Sequence, residues 1–404
     1  MTITVDSHHA HHVHEPQHDD DPVVVETPEE PTPWEPDFVP VPQAFLVGRA
    51  EPGPPAGLLV ESAESPPPPG ELEGTTRVTS TAVEHFDDWD ANGDGRLSKD
   101  ELESAMADPT YADEAAATLV ALYRAFDDLK KASNDQWGPE TGISRNDLAA
   151  LEAAQADAKD IGFAHYWYDD ALATIDGTID DVFGPGGPDG LALTQGGYGN
   201  CFFHAGLAGL AESRPDVIVD MIEENEDGTY TVTFPDGDPI TIDAPTDAEI
   251  AMGGGAGANG LWVAILEKAY LEDRGWASEL GTAGTGVSYV TGNSSSFHVV
   301  PWMSEDALVE NLEETLADGG VIVAGIGGGP FGTDEIPDQH AYTVLGYDAE
   351  TGLITLRNPW GRTETTDDNG QPLDGVDDGV FTVTVEEFQE LFDTVAFENV
   401  PDEE

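Results

Sequence analysis

The sequence predicts an α+β protein carrying an N-terminal helical unit and, before that, a disordered acidic arm. Three observations carry this reading: proline-rich acidic composition up to about residue 77, apolar residues at helical spacing from 78 to 155, and helical patterns alternating with short β-type runs from 191 to 400.

The arm, residues 1–77, includes SPPPPG at 65–70 and has no regular apolar pattern, so it is expected to stay unfolded with polyproline-like stretches. Residues 8–18 hold six of the 11 histidines. That composition suits a transition metal, but a polar, proline-rich tract lacks the pre-formed geometry of a selective site. In residues 78–155, Val83, Phe86 and Trp89, then Leu97, Leu102 and Met106, then Leu119, Leu122 and Phe126 mark amphipathic helices. Residues 156–190 read as a connector, aromatic at Tyr166, Trp167 and Tyr168 and rich in Gly and Pro toward its end. In residues 191–400 the runs TYTVTF, VIVAGI, AYTVLGY, LITLRN and FTVTV are the expected strands.

Charge sets the environment. Lys plus Arg number 14 against 81 Asp plus Glu, a formal charge of -67. Such a chain repels itself in dilute buffer, whereas molar salt shortens the screening length to about 3 Å and makes the carboxylates tolerable. The composition therefore predicts a halophilic protein of a salt-rich cytoplasm. With 39% hydrophobic residues and 8 Trp it differs from a disordered acidic polymer. Nucleic acid and anionic membrane would both meet a like charge, so neither is expected as a partner. A single cysteine allows no intrachain disulfide. The first residues show neither a basic n-region nor an apolar h-region, and no run reaches 18 apolar residues, so a cytoplasmic location is expected.

Residues 90–101, DANGDGRLSKDE, carry oxygen donors at the spacing of a twelve-residue EF-hand loop. Asp90, Asn92 and Asp94 supply side-chain oxygens, Gly95 permits the sharp turn, and Arg96 offers its backbone carbonyl. Ser98 acts through a water, and Glu101 closes the set with a bidentate carboxylate. Flexible oxygen ligands in this number suit Ca²⁺ better than Mg²⁺, which demands a tighter octahedron. GISRNDLAALE at 142–152 resembles the second half of such a loop and would set Ile143 opposite Leu97, but the preceding NDQWGPET lacks ligand spacing. Residues 127–147 are thus expected to be a degenerate second hand with a supporting role. Any calcium signal is expected to travel through the connector around 166–190.

The lone cysteine lies in QGGYGNCFFHAGLAGLA at 195–211. Glycines at 196, 197 and 199 allow a tight turn, and the apolar run after Cys201 has helical spacing, so the sulfur is expected at a helix N-terminus, where the dipole favours thiolate. His340 in QHAYTVLGYD and Asn358 in LRNPWG supply a proton shuttle and an orienting amide, completing a Cys-His-Asn hydrolase constellation. Gln195 can set its side-chain amide beside the Cys201 N–H as an oxyanion hole. His165, His204 and His298 lack such context and read as structural.

These residues also carry a family resemblance. QGGYGNCF resembles the nucleophile block of calpains, the papain-like cysteine proteases; LWVAILEKAYLE at 261–272 resembles their tryptophan-containing helix. QHAYTVLGYD and LRNPWG resemble the histidine and asparagine blocks, and GVFTVTVEEFQELFDTV at 379–395 the segment that closes the core. The resemblance implies a papain-like fold and a cysteine endopeptidase acting on protein or peptide substrates; calcium binding is expected from the 90–101 loop. Asn200 stands where the family pattern has Asp, and Phe202 where it has Trp. Two other functions stay open: a catalytically silent calcium-dependent scaffold on the same fold, and an acyltransferase using the same triad.

Overall fold

The computed structural model describes residues 69–133, 141–156, 161–327, 336–366 and 372–401. Helix α1 (Pro69–Trp89) begins inside the stretch expected as a disordered arm. The rest of the arm, with its histidine-rich tract, lies outside the described residues, as does the 134–140 part of the expected second hand. Next come β1 (Arg96–Leu97), α2 (Lys99–Met106), α3 (Asp113–Arg124), α4 (Phe126–Leu129), β2 (Ile143–Ser144), α5 (Arg145–Ala156) and α6 (Ala164–Gly177). Strands β1 and β2 pair antiparallel with Leu97 opposite Ile143, joining the 90–101 loop to the 142–147 segment.

These helices bury Phe86, Trp89, Leu102, Leu119 and Leu122 in one core. Helix α6 belongs to it, although residues 156–190 read as a connector. Ala164, Trp167, Tyr168 and Ala171 fall at i, i+3, i+4 and i+7 and form a continuous apolar stripe against the other helices. The aromatic cluster is thus divided by helical geometry, with Trp167 and Tyr168 buried.

The remaining chain forms α7 (Cys201–Ser213), α8 (Pro215–Met221), β3 (Ile222–Glu224), β4 (Tyr230–Val232), β5 (Ile240–Ile242), α9 (Asp247–Met252), α10 (Trp262–Arg274) and α11 (Ala283–Thr291). It continues with β6 (Ser295–Val299), α12 (Glu305–Ala317), β7 (Ile322–Ile326), β8 (His340–Asp348), β9 (Leu353–Arg357), β10 (Val380–Thr384), α13 (Val385–Leu391) and β11 (Thr394–Glu398). Strands β3 to β5 make a small antiparallel sheet, and a six-stranded sheet has the order β10-β9-β8-β7-β11-β6 with every neighbouring pair antiparallel. The pleat sorts its side chains. Val323, Ala341 and Ala396 join the core built on α7, α10 and α11, whereas Ile322, Ala324, Tyr342, Val344 and Val395 join the core under α12 and α13. A fully buried aromatic such as Phe388 contributes about 1.5–3 kcal/mol.

Helix α7 is apolar all round because it is covered on every side: each residue from Cys201 to Ala211 is buried. Its direction is fixed by Thr343 of β8, whose hydroxyl donates to the Ala205 carbonyl at 2.7 Å. Among the described residues no helix is long and apolar enough to cross a membrane.

Candidate active site

The turn before the cysteine is glycine-rich because backbone packs on backbone there. A Cβ on Gly196 would overlap the Gly253 carbonyl, and one on Gly197 would lie 2.6 Å from both Met252 Cε and Arg124 Nη1. Gly197 N–H donates to the Met252 carbonyl at 2.7 Å, and Thr194 and Gly255 exchange two N–H···O bonds of 2.8 Å. The turn delivers Cys201 as the first residue of α7, where the N–H has no intrahelical acceptor and the helix dipole favours an anion. The thiol is wholly buried.

His340 opens β8 and Asn358 directly follows β9, the strand paired with β8. His340 Nε2 and Asn358 Oδ1 are 2.8 Å apart. The amide cannot be turned round: its Nδ2 donates to the Thr363 carbonyl at 2.9 Å, and its Oδ1 also accepts from Trp360 N–H at 2.9 Å. An amide oxygen only accepts, so Nε2 must carry the proton and Nδ1 is the basic nitrogen. Nδ1 is buried with no hydrogen-bond partner. The Trp360 ring lies 4.4 Å from the imidazole, Tyr342 lies 5.0 Å away edge-on, and Tyr342 also interacts electrostatically with Cys201. Burial pushes His340 down to about 4, against a smaller upward pull from Asn358. The imidazole is therefore neutral near pH 7.

Gln195 is anchored to the same loop, its N–H donating to the Pro359 carbonyl at 2.8 Å. Its side-chain Nε2 donates to the Tyr198 carbonyl at 2.7 Å, so one of its two amide hydrogens is committed to its own turn.

Sequence reasoning did not assign a role to Glu267 of α10. This buried carboxylate accepts from Asn200 Nδ2 at 2.7 Å and Gly254 N–H at 2.5 Å, and lies 3.5 Å from His204 Nε2. It holds the residue before Cys201 and the loop after α9 at once. Asn200 fits this place better than Asp would, since a second carboxylate here would face Glu267 across a buried contact. Burial lowers the His204 pKa, while Glu267 opposes that shift. The signal available in the sequence was a Glu closing the apolar run Trp262–Leu266, on the buried side of a helix whose next residue, Lys268, is polar. His298 packs edge-on to Phe397, and His165 is buried on α6.

In the helical unit the 90–101 donors are oriented by the loop's own backbone. Asp90 accepts from Asp94 and Gly95 N–H at 3.1 and 2.8 Å, Asn92 accepts from Asp94 N–H at 2.8 Å, and Asp94 accepts from Arg96 N–H at 2.9 Å. Gly95 has φ 84°, the left-handed conformation the turn requires. Glu101 accepts from Asn92 N–H at 3.1 Å and from Ser98 N–H and Oγ at 2.9 and 2.7 Å, closing a capping box on α2. These oxygen donors are of the type a hard divalent cation takes; among the described residues, no three acidic, imidazole or thiol side chains converge as a metal cluster.

Comparison with known proteins bears on the larger unit. The family model described as calpain family cysteine protease matches residues 178–398, more than half of the chain. The chain belongs to the calpain family. Two calpain-type cysteine proteases, DEK1 of Zea mays and ADL1 of Oryza sativa subsp. japonica, are 30% and 29% identical to it over 192 and 194 residues. Each match covers 42% of this chain and 9% of the relative, so the chain spans less than a tenth of those proteins. The match encloses Cys201, His340, Asn358, Gln195 and Glu267 and begins after α6. The 90–101 loop lies outside this calpain segment.

Proposed function

We propose that this calpain-family chain is a cysteine endopeptidase with Cys201 as nucleophile, His340 as general base and acid, Asn358 as orienter and Gln195 as oxyanion donor. The observation that carries the reading is a buried, neutral imidazole whose protonated Nε2 is held by Asn358 while Nδ1 stays unpartnered. The Cys201 thiol proton passes to Nδ1 as sulfur bonds to the peptide carbonyl carbon. The oxyanion is met by the Cys201 N–H and the second Gln195 amide hydrogen. Collapse breaks the C–N bond, the amine leaves with the proton from Nδ1, and a thioester remains. Water then loses a proton to Nδ1, attacks the thioester, and frees the acid and the thiol. Because Cys201, His340 and Asn358 are all buried, substrate entry requires the surrounding loops to part.

Asp90, Asn92, Asp94, the Arg96 carbonyl and Glu101 are the residues that would hold calcium, and a salt-rich cytoplasm is the setting the -67 charge suits. When bound there, calcium would supply a fixed positive charge to the carboxylates of this loop.

The test is incubation with an unstructured protein in molar KCl, with mass spectrometry of the fragments. The wild type cleaves internal peptide bonds with water as acceptor, and Cys201→Ala keeps its circular dichroism and loses cleavage. Undiminished cleavage by Cys201→Ala overturns the reading; products carrying an added amine identify an acyltransferase.

A further inference from the structure

The helical unit and the calpain core share structure at α9. Ala248, Ala251 and Met252 of this helix lie in the core of the helical unit, with Tyr198 of the nucleophile turn packed against it. The helix is linked at both ends. At its start, the Thr246 hydroxyl donates to the carbonyl of Met106, the last residue of α2, at 2.6 Å. The same oxygen accepts from Glu249 N–H at 3.2 Å as the N-cap of α9. Beside it, the Asp247 carboxylate accepts the Asp113 N–H at 2.9 Å where α3 begins. At its end, the Met252 carbonyl accepts Gly197 N–H, and Gly254 N–H is held by Glu267. Arg124 of α3, stacked 3.9 Å over Trp167, also lies against Gly197.

We propose that Thr246 is a positioning residue of the protease: it ties α2 to α9 and thereby sets the turn that aims Cys201. Helix α2 is eight residues long and has Glu101 in its first turn, so any displacement of α2 by the 90–101 loop reaches Met106, and through Thr246 the far end of α9. The six-residue helix Asp247–Met252 follows directly on Thr246 and carries Met252 at its far end, a span that one short helix bridges as a stiff rod. The route differs from the connector the sequence suggested, because α6 is packed into the helical core whereas α9 joins the two directly. The inference rests on the reading of Cys201 as nucleophile.

Three substitutions in the full chain separate capping from linkage. Thr246→Ser keeps both bonds of the hydroxyl. Thr246→Asp keeps an N-cap acceptor for α9 but has no donor for the Met106 carbonyl when ionised. Asp247→Ala removes the neighbouring link at a more accessible position, in case Thr246→Asp does not fold. The primary readout is the rate of iodoacetamide labelling at Cys201, the only thiol, across pH, followed by mass spectrometry. The second is cleavage, resolved into kcat and KM. Thr246→Asp should label and turn over about tenfold to a hundredfold more slowly, with a displaced labelling pH midpoint, an unchanged KM and an unchanged circular dichroism spectrum. Asp247→Ala should move in the same direction, and Thr246→Ser should match the wild type. Wild-type labelling and kcat in both Thr246→Asp and Asp247→Ala overturn the proposal, as does an equal loss in Thr246→Ser. Should the wild type cleave nothing, the protease reading fails, and labelling alone still decides whether Thr246 positions Cys201.

Discussion

His340 Nε2 lies 2.8 Å from Asn358 Oδ1, in a bond whose direction is fixed by the contacts of Asn358 with Thr363 and Trp360. The consequence is a single tautomer with its basic nitrogen unpaired. Replacing the amide by a carboxylate is informative because it preserves shape and acceptor but adds a negative charge. Asn358→Asp should raise the His340 pKa from about 4, since an adjacent anion favours imidazolium, and move the acid limb of the kcat/KM profile to higher pH. Asn358→Ala should keep measurable activity, whereas His340→Ala should lose about 10²- to 10⁴-fold. An acid limb that stays in place in Asn358→Asp rules out the contact as the control of this imidazole.

The same burial makes stability depend on pH with a definite sign. His340 has a folded pKa of about 4 against an ordinary 6.5, so between these values the unfolded chain binds a proton that the folded chain refuses. Stability is therefore lost as pH falls from 6.5 toward 4. Glu364 behaves oppositely: burial, then Asp374 and Asp378, push it up to about 7 from 4.5, so its contribution is complete below 4.5 and is lost as pH rises toward 7. Denaturant unfolding at constant salt measures both. Relative to wild type, His340→Gln should flatten the acid-side loss and Glu364→Gln should flatten the loss above pH 4.5; parallel curves would refute the assignment.

Much of the catalytic unit was legible because its local chemistry and its fold agree. The strand runs around 322–326 and 341–344 are buried almost without a break, as a sheet covered on both faces requires, and the glycines before Cys201 announce a turn where backbone meets backbone. Glu267 escaped notice because its partners, Asn200 and Gly254, are 67 and 13 residues away, distances no local pattern encodes. Helix α6 reads as a connector in the sequence because its aromatic and acidic composition obscures the i, i+3, i+4, i+7 spacing by which it packs into the helical core. Helix α9 gives no warning of its packing for a different reason: its six residues send Ala248, Ala251 and Met252 to one core and Ile250 to the other, a division that no local pattern marks.

The charge of -67 predicts that salt, and not temperature alone, governs the folded state. Diluting KCl from molar to 0.01 M lengthens the screening distance from about 3 Å to about 30 Å, so carboxylates across the surface begin to repel one another. Circular dichroism during dilution should show loss of structure and a falling Tm, with partial recovery in molar NaCl. A spectrum and Tm unchanged at low salt would contradict a halophilic protein.

Calcium offers the sharpest test of how the two parts of the chain work together. Glu101 sits in the first turn of α2; on the calcium reading proposed above it is the bidentate ligand, so its replacement by Gln should weaken binding. In concentrated salt the wild-type affinity should fall at the weak end for such loops, about 10⁻⁵ to 10⁻³ M. Calcium can alter catalysis only by binding one arrangement of α2 more tightly than another. If it does, titration should change Cys201 labelling and cleavage together in the wild type, over one concentration range, and Glu101→Gln should shift that range upward. Thr246→Asp should bind calcium with wild-type affinity, measured by calorimetry, yet lose the response of Cys201. Identical calcium dependence of labelling in the wild type and Glu101→Gln would show instead that any calcium effect arises within the calpain core.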